Sequence, residues 1–218
     1  MALAADVTGR PLRQAHRVNR MRRCTVFHAG DQIENPVTGE RLVFHETAAE
    51  TGGERVVFET IVQPGGFVAA AHIHPFQTER FEVLAGTIEV KKGRKRHTAT
   101  AGEVLEVEPG VAHSWRNASD YEELRFLVEV RPALQFERLI ETMFGLAADG
   151  KTNKKGMPNP LRMAVIANAY LDDVGMPHVP GAIQKAALAT GAAVGRLVGY
   201  QPQYAPGTAD AKPATASA

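Results

Sequence analysis

The chain has 218 residues, 44% hydrophobic and 22% charged, with 25 Lys and Arg against 24 Asp and Glu. This suits one domain of ordinary size plus an appendage, and a formal net charge of +1 gives no whole-molecule attraction to nucleic acid or anionic membrane. The single cysteine, Cys24, excludes an internal disulfide, no apolar run reaches the roughly 18 to 20 residues of a membrane span, and no apolar signal core opens the chain, so the expected setting is cytoplasmic.

Residues 1–23 carry six arginines against one acid, and Arg10, Arg13, Arg17 and Arg20 share one face of a possible helix. We read this as a solvated basic N-terminal arm. A lone basic segment ahead of the main fold is not a DNA-reading helix pair, so no nucleic-acid partner is expected. From 24 to 132 the apolar period is mostly two. Arg41–His45, Arg55–Val62, Phe81–Val90, Glu103–Val107 and Glu123–Val130 are short, rich in Val, Phe and Ile, and bounded by Gly, Pro, Asn or Asp. Thr87–Ala101 has room for two short strands joined by a basic hairpin at Lys91–Arg96. Many short strands at such spacing predict a mainly β sandwich or barrel.

After Pro132 the period changes. Ala133–Ala148, Pro160–Asp172 and Ala182–Val198 read as helices separated by Gly, Pro and Asn, so 133–200 is a short α-helical appendage. It is too small for an independent core and packs on the outer face of the β unit, against a partner subunit in a homodimer, or over the barrel mouth. Gly191, Gly195 and Gly199 recur every four residues, which permits close helix contact; Lys185 and Arg196 exclude a membrane role. Residues 201–218, mostly Ala, Pro, Thr and Ser, are expected to be a disordered tail.

The chemistry concentrates in two stretches. In Gly66–Gly86 the apolar run around His72 and His74 reads as a β-strand, so these side chains share one face about 6 to 7 Å apart and can converge on one metal. The turn-prone Pro75–Thr78 segment can bring Glu79 beside them, adding an oxygen donor. In Gly102–Asn117 an alternating strand with Val104 and Val107 runs through Pro109 and Gly110 to His113.

Gly66, His72, His74, Glu79 and Gly86 fit G(x)5HxH(x)4E(x)6G; Gly102, Gly110, His113 and Asn117 fit most of G(x)5PxGxxH(x)3N, with Glu108 where the first proline falls. This resembles the cupin superfamily in its single-barrel form, over about residues 40–132. The resemblance implies a jelly-roll β-barrel and a metal held by His72, His74, Glu79 and His113.

Three imidazoles and one carboxylate suit Fe, Mn, Ni, Cu, Co or Zn, and leave open positions for water, a chelating substrate or dioxygen. Strand alternation places Ala70, Phe81, Val83 and Trp115 with the ligands as an apolar pocket wall for a small molecule. It sends Glu82 and Ser114 to the opposite face, and Glu59 would serve only if it faced inward, so no general base is assigned. The expected function is a dioxygenase-type oxidoreductase acting on a small chelating, partly apolar substrate. A metal-dependent isomerase and a non-catalytic binding module are the alternatives.

Overall fold

The computed structural model describes residues 27–207. The arginine-rich arm, Cys24 and the tail beyond 207 lie outside the described residues. Nine strands and three helices follow in order: β1 Gln32–Asn35, β2 Glu40–Glu46, β3 Val56–Val62, β4 Thr78–Ala85, β5 Thr87–Lys92, β6 Lys95–Thr100, β7 Val104–Val107, β8 His113–Asn117, β9 Leu124–Arg131, then α1 Phe136–Ala148, α2 Pro160–Ala169 and α3 Gly181–Leu197. Most expected strands and helices are present within a few residues, but the expected strand Phe81–Val90 is split at Gly86 between β4 and β5, which belong to different sheets. β1, a short mostly polar strand, carries too weak a pattern to be read from sequence.

The strands form a six-stranded sheet of order β1-β2-β3-β9-β4-β7 and a three-stranded sheet of order β6-β5-β8. Alternation decides their faces. Along β4, Glu79, Phe81 and Val83 are buried while Arg80 and Glu82 pair on the outside at 2.9 Å. Leu124, Phe126, Val128 and Val130 repeat the pattern on β9. Each such buried side chain contributes about 2 kcal/mol by leaving water. Phe27, Phe44, Phe58 and Phe136 continue the core as a chain of rings, with centroids 4.3, 6.0 and 5.8 Å apart.

The motif glycines are steric necessities. A Cβ on Gly66 would lie 2.5 Å from Val62 Cγ1, and one on Gly86 would lie 2.7 Å from the Glu123 carbonyl, in a turn whose φ of +79° also favours glycine. Asn117 is a latch: its amide donates to the carbonyls of Val62, Gln63 and Glu122.

The histidine-bearing stretch departs from the expected strand. Between β3 and β4 the chain crosses from the larger sheet to the smaller and makes only isolated bridges: Phe67 with Arg116, His72 with His113, and Ile73 with Gly175. Pro64 and Pro75, which lack an N–H, flank it and prevent a longer ladder. The jelly roll is therefore two facing sheets joined by these bridges, with no continuous hydrogen-bonded ring.

Residues of α1, α2 and α3 and of the loops between them line one cavity together with strand residues. Asn159 caps α2, accepting from the Arg162 N–H at 3.0 Å, with Pro160 in the first turn. α3 packs on α2 through Gly191 and Gly195; added Cβ atoms would fall 2.9 Å from Ala164 Cβ and 2.5 Å from Val165 Cγ2. The loop between the two helices meets the histidine stretch, with reciprocal bonds of 3.0 and 2.9 Å between Ile73 and Gly175. No helix among the described residues is long and apolar enough to cross a membrane.

Candidate metal centre

Four side chains converge from three places. His72 and His74 come from the crossing stretch, Glu79 from the inner face of β4, and His113 from the first position of β8. The His72–His113 bridge is closed by two backbone bonds of 3.0 and 2.9 Å, and the Gly110 N–H donates to the His74 carbonyl at 2.8 Å. The turn around Glu108 is thus pinned to the histidine stretch. Glu108 itself pairs with Lys92 at 3.2 Å, outside the cluster.

Each ring is oriented by a carbonyl. Nδ1 of His72, His74 and His113 lies 2.8, 2.5 and 3.0 Å from the carbonyls of Ala70, Asp173 and Val111. A carbonyl only accepts, so each Nδ1 carries the hydrogen and each Nε2 is left to face the cluster. One donor atom from each of the four residues lies within 4.8 Å of the others. Atoms each held about 2.1 Å from a shared centre lie at most about 4.2 Å apart, so the set need only draw in slightly to share one ion. His74 Nε2, His113 Nε2 and Glu79 Oε2 are buried with no hydrogen-bond partner. His113 Nε2 is 2.8 Å from Glu79 Oε2, but the contact is misaligned for a hydrogen bond. Leaving three such atoms bare costs a few kcal/mol, which a bound cation removes. The residues present fit a divalent transition metal.

Electrostatics prepare the site. Burial, then the neighbouring imidazoles, pushes His72 down to about 3. Burial likewise lowers His74. Burial opposes the charge on Glu79, but its contact with His113 and the nearby rings prevail and hold it down at about 2. His113 is raised: burial works against it, and the Glu79 carboxylate outweighs burial.

Beside the cluster lies a cavity of about 220 Å³, lined by His72, His74 and Glu79 and by apolar side chains from both the sheets and the helices. Ala70 and Trp115 line it, as their faces predict. Phe81 and Val83 do not. They point inward but sit in solid core, 0% and 1% exposed, with Phe81 against Phe126 at 5.8 Å between centroids. Strand alternation fixes a face and not a depth, and these two residues lie further along β4 from the cavity than Glu79. Glu59 faces away from the cavity and pairs with Arg125 at 2.6 Å, while its neighbours Phe58 and Thr60 line the wall.

Sequence reasoning missed three contributors. Glu40 lines the cavity from β2, and the alternation Glu40, Leu42, Phe44 could have placed it inward. Asp173 orients His74 across 99 residues of chain, which no local pattern encodes. Met143, Met157, Met163 and Met176 all face the cavity from the helical side.

A family model described as a cupin domain matches residues 58–130. None of the curated proteins matches the chain. Among solved structures, an uncharacterised conserved protein with a double-stranded β-helix domain from Klebsiella pneumoniae is 22% identical, with 51% of this chain and 93% of that chain covered at a TM-score of 0.40. A predicted oxalate decarboxylase from Thermotoga maritima is 22% identical over 50% of this chain and 99% of that one, at a TM-score of 0.42. A sugar phosphate isomerase from Silicibacter pomeroyi is 21% identical over 44% of this chain and 62% of that one, at a TM-score of 0.39.

Proposed function

The chain is a cupin-superfamily domain protein, and from that premise we propose that it is a metal-dependent oxidoreductase of dioxygenase type acting on a small, chelating, largely apolar molecule. In this reading His72, His74, Glu79 and His113 hold one divalent transition metal. The observation that carries it is the convergence of unpartnered buried donor atoms beside an apolar cavity. When bound, a redox-active metal there supplies dioxygen activation and polarises a chelating oxygen of the substrate.

The protein's own groups do the remaining work. The carbonyls of Ala70, Asp173 and Val111 keep each Nε2 aimed inward and the rings in one tautomer. Glu79 stays ionised and offsets part of the metal's charge. Trp115, Phe136 and the helical lid exclude water and press the apolar body of a substrate toward the cluster. Few polar side chains line the cavity, which disfavours a polyhydroxylated substrate and hence the isomerase alternative. We keep the homodimer within the proposal: exposed Ile183, Val194 and Leu197 on α3 support self-contact, and a monomeric mass in sedimentation equilibrium would reject it.

Elemental analysis of the protein and of His72→Ala and His113→Ala tests the site. We expect about one metal per chain in the wild type and a large loss in both variants; full stoichiometry surviving in both would sink the four-ligand assignment. Oxygen uptake with catechols, flavonols and diketones tests the reaction. Zinc without oxygen uptake would redirect the function to Lewis-acid or binding roles.

A further inference from the structure

Resting on that reading of the metal centre, we propose that Glu40 is a second polar anchor of the same cavity, which takes an elongated apolar molecule with a metal-binding group at one end and a hydrogen-bonding oxygen at the other. Glu40 opens β2 with its side chain inward, and only 8% of the residue is exposed. One carboxyl oxygen accepts from the Thr38 hydroxyl at 2.5 Å; the other has no hydrogen-bond partner among the described residues. A carboxyl is therefore held in an apolar wall with one oxygen available to a ligand.

Its placement gives the ligand a shape. Glu79 and Glu40 line one cavity from β4 and β2, with Val128 of β9 and Phe58 and Thr60 of β3 between them. The two carboxyls lie on a diagonal of the sheet: three inter-strand steps, roughly 14 Å, across it, and six residues, roughly 20 Å, along it, since Glu40 is level with Val62 of β3 and Glu79 with Val56. Apart from Thr60 the walls between are Val, Phe, Leu and Met, so the middle of the ligand is largely apolar and its polar atoms belong at the ends. Burial pushes the Glu40 carboxyl up to about 7, which suits a donor to a ligand hydroxyl or carbonyl better than a partner for a cation. Asn35 lines the same end, and its side-chain oxygen is already engaged, accepting from the Val37 and Thr38 N–H groups. The free oxygen is that of Glu40. A purely structural role in the turn would be met by the Thr38 bond alone and would show no ligand dependence.

The test uses metal-loaded protein and two probe series, straight-chain alkyl hydroxamates and ω-hydroxyalkyl hydroxamates, with tails lengthened one methylene at a time. The hydroxamate chelates the metal and the tail reports the far end. We expect the wild type to prefer the terminal hydroxyl by about tenfold at one tail length, the value of one good hydrogen bond to an ionisable group. Glu40→Leu should erase the preference and Glu40→Gln should retain part of it, with metal content unchanged in both. No preference at any length, or one that survives in Glu40→Leu, overturns the proposal. Infrared difference spectra decide the matter if Glu40→Leu does not fold: a carboxyl band absent in Glu40→Gln should move with the ω-hydroxy probe and not with the alkyl one, and an unmoved band rejects the anchor. Failure of the metal reading is separately visible as hydroxamates binding no tighter than alkanols of equal length. The far-end preference is then read with α,ω-alkanediols against alkanols.

Discussion

Replacing Glu40 with Gln should stabilise the protein in alkali and change little in acid. The folded state pushes this carboxyl from 4.5 up to about 7, chiefly by burial, with the Thr38 hydroxyl opposing. Between those values the folded chain holds a proton that the unfolded chain has released. The stabilising contribution is thus complete below about pH 4.5 and is lost as pH rises through about 7. The gap between 4.5 and about 7, at about 1.4 kcal/mol per pH unit, amounts to about 3 kcal/mol. Gln stays neutral and still accepts from Thr38. The neutral burial of His72 and His74 acts with the opposite sign, since those groups gain stability as pH rises, but it is common to both proteins and cancels in the difference. Urea unfolding of both proteins in pH steps measures the effect: the advantage of the variant should open by about 3 kcal/mol across the window. An advantage that does not change with pH would refute the burial of an ionisable Glu40.

Metal binding should displace a proton from His113 wherever that ring is still charged. His72, His74 and Glu79 are already deprotonated, His113 is raised by the Glu79 carboxylate, and affinity should climb about tenfold per pH unit until that proton is gone. Calorimetric titration in buffers of different ionisation enthalpy counts the protons; none at any pH, or two and more, would contradict the assignment. Gly175→Val should press on Ile73, which an added Cβ meets at 3.0 Å, and shift the Asp173 carbonyl away from His74. The expected cost is about 10- to 100-fold in metal affinity with the strand signal in circular dichroism unchanged, and unaltered affinity would remove Asp173 from the site. Gly195→Ala gains about 1 kcal/mol of helix propensity but drives a methyl to 2.5 Å from Val165 and 2.8 Å from the Leu161 carbonyl. A net loss of about 1 to 2 kcal/mol should appear as a lower Tm, whereas a rise would mean α3 is not seated on α2 as described.

The legibility of this protein divides along the physics of its elements. Period two in β4 and β8 was enough to carry Phe81, Val83 and Trp115 to the same face as Glu79 and His113, because in a half-buried strand the side-chain direction is local. Gly66 and Gly86 were legible only as positions of the cupin spacing, since atoms that require them, those of Thr38 for the first and Glu123 for the second, are remote in sequence. The path of His72 and His74 was not. A run of small apolar residues looks like a strand, and here it makes only single bridges, to β8 and to Gly175. Phe81 and Val83 show the other limit, that one inward face is shared between cavity and solid core. Where the helical segment rests was open among three placements, because its docking rests on pairs such as Ile73 with Gly175 that are remote in sequence.

That docking changes the meaning of the segment after Pro132. The β side of the cavity presents rigid strand residues and the two carboxyl poles, Glu79 and Glu40. The helical side presents Met143, Met157, Met163 and Met176, which are all the methionines among the described residues. Unbranched thioethers adapt to shape at little cost, so the β wall sets orientation and the helical wall adjusts to bulk. The same helical segment supplies the carbonyl that orients His74. A ligand that shifted this segment would therefore act on the His74 ring through one hydrogen bond, and by reciprocity a metal that fixed the ring would act on the segment. Cavity and candidate metal centre thus share the helical segment, which lines the one and orients a ring of the other.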